Sequence, residues 1–152
     1  NLAGLQVANI FAADTDARGR IVRALEINET GMISPFAIEA LMAAYNEGDA
    51  WLDALNEYLW GNYVELRDHF AARLPQFPVL PLEGTYLVWI DCRAAGLSSA
   101  ELDRRLTAEA RVRINPGAMY GAAGEGFIRV NIACPRALLR EGIKRMTDLL
   151  TR

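Results

Sequence analysis

The sequence holds one histidine, His69, and two cysteines, Cys92 and Cys134, which form no Cys-x-x-Cys pair. That set cannot assemble a metal site of ordinary ligand spacing, so no metal is expected. Lysine is equally scarce: Lys144 is the only one, and the other basic residues are arginines. Charge of one sign is missing too. The 16 basic residues face 19 acidic ones, and no basic run relieves the net charge of −3. Nucleic acid and anionic membrane are therefore excluded as main partners. The longest apolar runs, such as 88–90 and 10–13, fall far short of the roughly 20 residues needed to cross a bilayer. With no signal-peptide pattern visible, the two thiols suit a reduced, cytoplasmic chain. Repeats and low-complexity segments are also lacking. What remains is 152 residues with 52% hydrophobic and 23% charged side chains, enough to bury a real core as a soluble globular protein.

Patterning divides the chain near residues 75–81. Before that point it reads as mainly helical. Residues 5–12 are a short apolar run, expected as a strand although its length also permits helix. Asp14 or Thr15 is placed to cap a helix to about Asn28, with Ile21, Val22 and Leu25 inward. Ser34-Pro35 starts a second helix that Gly48 ends. Asp49 caps a long third helix to about Leu74, with Leu52, Leu55, Leu59, Leu66 and Phe70 at the spacing of a buried stripe. Trp51, Trp60 and Tyr63 widen that stripe, which predicts packing on two sides. His69 borders it with no carboxylate or cysteine beside it, and reads as structural.

After Pro75 the period shortens. Residues 77–80, 85–91, 112–114 and 126–133 read as strands. Both faces of 85–91 are largely apolar, so it is expected as a central strand, with Tyr86 and Trp89 in the core. Ser98-Ser99-Ala100-Glu101 fits a capping box, and Pro135 starts a last helix with the stripe Leu139, Ile143, Met146, Leu150. The expected organisation is thus 1–75, mainly helical, and 76–152, an α+β unit with a small, mostly antiparallel sheet. Arg111 and Arg113 read as a solvated strand edge, Arg136 and Arg140 as surface residues, and Asp14 and Asp16 as capping acids.

The strongest chemical signal is Gly126-Phe127-Ile128-Arg129-Val130-Asn131-Ile132-Ala133. Alternation puts Ile128, Val130 and Ile132 on one aliphatic face that must be buried, and Arg129 on the other. A guanidinium on a strand so anchored is a fixed, permanently charged planar fork that fits a carboxylate. The structural alternative is an edge-strand arginine paired with a nearby glutamate.

Three further segments bear on that choice: Glu83-Gly84-Thr85-Tyr86-Leu87-Val88-Trp89-Ile90-Asp91, Ile114-Asn115-Pro116-Gly117-Ala118-Met119-Tyr120-Gly121, and Asn1-Leu2-Ala3-Gly4-Leu5. With Gly48-Asp49-Ala50-Trp51-Leu52 and Tyr58-Leu59-Trp60-Gly61-Asn62, they closely resemble in order and spacing the C-terminal portion of class I/II aminotransferase-fold enzymes that use pyridoxal phosphate. The branch most resembled is that of cystathionine β-lyase-like C–S lyases of the MalY and PatB type. The resemblance implies fold type I, α/β overall, with helices that close the large domain followed by the α+β small domain. It implies an amino-acid substrate, a homodimer, and Arg129 as the receptor of the substrate carboxylate. It places Pro116, Gly117 and Tyr120 beside the cleft, in what would otherwise be a plain loop between strands. Asn1 matches the end of the family's lysine-bearing stretch, so Asn1 and Gly4 would lie near a cofactor-binding lysine that precedes this chain. Lys144 stands in no such context. The chain alone is accordingly expected to be inactive, with no catalytic residue of its own.

β-Lyase and transaminase need the same carboxylate clamp and are not separated by these residues. The resemblance tilts toward the lyase, which expels a thiol and releases pyruvate and ammonia. The competing reading is a non-catalytic α+β domain that binds an amino acid or serves an interaction.

Overall fold

A computed structural model describes residues 2–151. They fall into two compact units, Asn1–Ala54 and Leu55–Arg152. The division lies inside the longest helix, not at the break in hydrophobic period near residue 75.

The first unit holds a 3-10 turn at Leu2–Leu5, α1 (Thr15–Ile27), α2 (Pro35–Glu47) and the start of α3 (Asp49–Arg73). The caps follow the sequence. The Asp14 carboxylate accepts from the Ala17 amide at 2.6 Å, Pro35 occupies the first turn of α2, and Gly48 ends it. The strand expected over 5–12 is absent: residues 6–12 are irregular, Gln6 has φ +52°, and none of the described residues forms a ladder with them. An extended segment without a pairing partner leaves its backbone groups to water, and apolar content alone does not make it a strand.

The expected inner faces are also missing. Among described residues 2–54, Ala37 alone is buried, while Phe11 and Met32 are each 89% exposed and Phe36 is 79% exposed. Trp51 and Trp60, read as widening the buried stripe of α3, both lie open to solvent. An apolar surface of this kind marks a face that something else covers. The 152-residue chain, prepared alone, is expected to self-associate and to bind an apolar dye. A dye-negative monomer by light scattering at high concentration would contradict this.

The second unit comprises the rest of α3, β1 (Leu87–Asp91), α4 (Ser99–Ala108), β2 (Asn115–Pro116), β3 (Phe127–Asn131) and α5 (Arg136–Leu150). The sheet is antiparallel in the order β1-β3-β2. On its other side β1 meets residues 78–80: Val79 bridges Ile90, the Leu80 amide donates to the Trp89 carbonyl at 2.9 Å, and the Asp91 amide to the Pro78 carbonyl at 3.0 Å. β1 thus has neighbours on both edges, as its sequence predicts. The strand expected over 112–114 is displaced to a two-residue pairing at 115–116. Arg111, at φ +55°, takes the approaching chain out of extended geometry.

One face of the sheet, Val88, Ile90, Ile128 and Val130, joins a single buried cluster with Leu59, Tyr63, Leu66 and Phe70 of α3, Leu102 and Leu106 of α4, and Leu139, Ile143 and Met146 of α5. Cys92 is fully buried at the end of β1, and burial pushes its thiol up to about 12, so it is inert at neutral pH. His69 is structural: its Nε2 lies 2.8 Å from the Thr147 hydroxyl, which itself donates to the Ile143 carbonyl. Nε2 must therefore be the donor. Burial first, and the Arg73 charge second, hold this imidazole below its ordinary range.

Arg136 keeps a partly exposed side chain, but it is more than a surface residue. Its Nε donates to Asn62 Oδ1 at 2.9 Å and its guanidinium lies 4.8 Å over the Tyr58 ring. Asn62, fully buried, in turn donates to the Ile132 carbonyl at 2.9 Å and the Cys134 carbonyl at 3.2 Å. Arg140 does reach solvent, where it pairs with Glu65 and holds that carboxyl below its usual range.

Candidate functional site

The outer face of the sheet carries the chemistry. Because Val88, Ile90, Ile128 and Val130 point into the core, alternation turns Trp89, Phe127 and Arg129 the other way. Register then sets Arg129 directly opposite Trp89 on β1 and opposite Asn115 on β2. Trp89 is therefore not a core residue, and Tyr86, 43% exposed, is not one either. Both faces of β1 are apolar because the outer one bears an aromatic layer.

That layer is continuous. The Arg93 guanidinium lies 4.9 Å over the Phe127 ring, Phe127 meets Trp89 edge-on at 6.5 Å, and Trp89 meets Tyr120 edge-on at 5.4 Å. Tyr120 ends the series beneath Arg129, whose Cζ stands 4.5 Å over its ring centroid. Arg93 also pairs with Asp91 at 2.6 Å, which holds that carboxyl low.

Arg129 has little else. Its Nη2 donates to Asn115 Oδ1 at a long 3.5 Å, and its Nε is shut from solvent with no acceptor. No carboxylate among the described residues pairs with it. Within the unit Arg67, Arg93, Arg104, Arg105, Arg136, Arg140 and Arg145 each have an acidic partner, whereas Arg73, Arg111 and Arg113, like Arg129, have none among the described residues. The half-buried strand arginine is left without one. The glutamate that the structural alternative for Arg129 calls for is not found among the described residues.

The loop after β2 brings Tyr120 into place. Pro116 closes the pairing with Ile128, and Gly117–Tyr120 forms a 3-10 turn. Gly117 and Gly124 face each other so closely that a Cβ on either would strike the other's carbonyl. The loop's far end is tied to α4. Ser99 donates its amide to Glu125 Oε1 at 2.7 Å, and its hydroxyl accepts from the Gly126 amide at 2.9 Å. Glu125 thus occupies a free amide at a helix start, where a carboxylate is favoured.

Of the residues singled out in the sequence, Arg129, Pro116, Gly117 and Tyr120 are brought together here. Asn1 lies outside the described residues. Trp89 and Asn115 join the site without having been read as parts of it. Alternation around Val88 and Ile90 already put Trp89 outward, whereas Asn115 depends on strand register. Arg129 also borders a cleft of about 440 Å3 with Arg113, Val130 and Ile143. Among the described residues, no group of three or more His, Cys, Asp or Glu could hold a metal, and no helix is long and apolar enough to cross a membrane.

No family model matches the chain. Among curated proteins, it is 37% identical over 151 residues to cystathionine beta-lyase PatB of Bacillus subtilis (strain 168), covering 99% of this chain and 39% of that protein. It is 34% identical over 152 residues to protein MalY of Escherichia coli (strain K12), again covering 99% and 39%. The chain therefore spans about 39% of the length of these curated relatives. Among solved structures, cystalysin from Treponema denticola, which contains a pyridoxal 5'-phosphate cofactor, superposes with a TM-score of 0.95 at 27% identity, over 99% of this chain and 38% of that one. The PLP-bound C–S lyase from Staphylococcus hominis gives a TM-score of 0.86 at 29% identity, over 99% and 39%.

Proposed function

We propose that the chain is a portion of a fold-type-I pyridoxal-phosphate enzyme, as its likeness to C–S lyases suggests, and that it supplies the substrate-carboxylate side of an active site acting on amino acids. The observation that carries this is Arg129, a half-buried guanidinium on a rigid strand with no acidic partner. Pyridoxal phosphate, when bound, supplies the electron sink for charge that develops at the substrate Cα. This chain's residues do the positioning. Arg129 donates to the carboxylate through a charge-assisted fork, which fixes the orientation of the bond to be broken at low entropic cost. The turn at Pro116 and Gly117 brings Tyr120 against that fork, so all three line the substrate side.

The chain's residues do not fit the cofactor's anchoring role. Lys144, the only lysine, is exposed on α5 and bonded to Asp148 at 2.6 Å. On this reading the anchoring lysine is supplied by residues outside these 152, and the chain alone is expected to be inactive. When the chain is mixed with pyridoxal phosphate and reduced with borohydride, peptide mapping is expected to find no stoichiometric single-site adduct. Full labelling of one site with a protein-specific absorbance band would refute this.

The likeness to PatB and MalY favours C–S cleavage over transamination. The same reading makes the enzyme a cytoplasmic homodimer whose assembly covers the apolar surface of residues 2–54. The test is product analysis on the holoenzyme with a β-thio-substituted amino acid. Thiol, pyruvate and ammonia released without a keto-acid acceptor identify the lyase. Turnover that requires the acceptor identifies the transaminase. Neither activity, with cofactor bound, would overturn the proposal.

A further inference from the structure

Arg129 must be held ready for a carboxylate while its own hydrogen-bonding fork stays free. Most arginines of the second unit are held by an acidic side chain, which neutralises them and occupies their donors. Arg129 is held differently. A long contact to Asn115 at 3.5 Å constrains it weakly, and the Tyr120 ring lies against its face, 4.5 Å from Cζ. An aromatic face attracts a cation through its quadrupole and occupies none of the N–H donors of a guanidinium. It stabilises the charge without competing with the ligand.

The ring is itself fixed. Trp89 meets it edge-on at 77° and 5.4 Å, and Trp89 stands opposite Arg129 in the β1–β3 register. The loop that carries Tyr120 is closed by the Gly117–Gly124 contact and by the Ser99–Glu125 bond. A half-exposed residue is thereby placed with the precision of the sheet.

We infer that Tyr120 is a positioning residue: its ring face, and not its hydroxyl, keeps the Arg129 guanidinium oriented for the substrate carboxylate. The inference rests on the reading of Arg129 given above. It makes the preference for a carboxylate-bearing ligand a property of the Arg129–Tyr120 pair.

The test uses the holoenzyme and compares an amino acid with its decarboxylated amine, each as a ligand that displaces a reporter substrate. The ratio of their affinities is the carboxylate discrimination. Tyr120→Phe keeps the ring and is expected to retain the wild-type ratio. Tyr120→Leu removes the quadrupole and should lower the ratio about 3- to 10-fold; in turnover of the amino acid itself it should raise KM more than it lowers kcat. Replacing position 120 by phenylalanines of increasing fluorination keeps the shape and drains the ring face of negative charge. The ratio should then fall stepwise, a result a merely space-filling residue would not give and one that stands even if the leucine variant folds poorly.

A flat fluorination series, or a Tyr120→Phe enzyme as damaged as Tyr120→Leu, overturns the inference while leaving Arg129 as the receptor. An Arg129→Ala enzyme that discriminates as well as wild type overturns the receptor reading, and the inference with it. The two failures are thus told apart by which variant leaves the ratio unmoved.

Discussion

Arg129→Ala in the holoenzyme is expected to lose about 30- to 1000-fold in kcat/KM, equivalent to roughly 2–4 kcal/mol of transition-state binding, with little change in folding. Two features set this size. A charge-assisted bidentate contact is among the stronger hydrogen-bonded pairs, and the guanidinium has no carboxylate to fall back on when the substrate leaves. The fold should tolerate the loss, because the buried face of β3 is carried by Ile128 and Val130, and removing Arg129 even relieves an unsatisfied Nε. Lysine should rescue little, since a point charge cannot reproduce the planar fork. The deciding measurement is steady-state kinetics beside thermal unfolding. A variant that unfolds early yet keeps its preference for carboxylate-bearing ligands would return Arg129 to a structural role.

Gly117→Ala should be nearly as damaging, by a different route. A Cβ there would collide with the Gly124 carbonyl and come within 2.9 Å of both the Phe127 Cβ and the Phe127 carbonyl oxygen. Backbone on both sides cannot swing away as a flexible side chain would, so the loop must open. Overpacking of this kind costs about 1–3 kcal/mol. For a chain of this size each kcal/mol lowers the unfolding midpoint by about 2–4 °C. Opening the loop also draws Tyr120 off Arg129, so binding should weaken together with stability. Calorimetry paired with substrate titration tests the coupling. If the midpoint drops and binding holds, the loop and the arginine are independent.

Local chemistry was the legible part of this sequence. Asp14 and Ser98 announce helix starts because a short oxygen-bearing side chain before an apolar period has few other uses, and both accept the expected amide bonds. The stripe of α5 and the two faces of β3 follow from periodicity alone. Partners were not legible. Residues 6–12 have the composition of a strand and no ladder partner among the described residues, and 112–114 follow the positive φ of Arg111, a conformation its side chain does not announce. Trp89 was misread because hydrophobicity does not distinguish a core from an aromatic platform. Arg136 was read only in part, because a guanidinium at a helix start looks solvated until Asn62, 74 positions earlier, is seen to accept from it. Resemblance to known enzymes pointed to Arg129 and Tyr120; the register set Trp89 and Asn115 opposite Arg129, and the turn after β2 brought Tyr120 against it.

The start of α5 carries a kinetic consequence. Pro135 offers no capping side chain, and the Arg136 amide donates instead to the Tyr58 hydroxyl of α3 at 2.8 Å. Helices commonly fray from their ends, and amides in the first turn exchange with solvent long before the middle ones. Here the first turn cannot lift away without releasing Tyr58, Asn62 and the two carbonyls Asn62 holds. In deuterium the Arg136 amide should exchange at the rate of the buried middle of α3, so that two helix segments far apart in the chain open as one event.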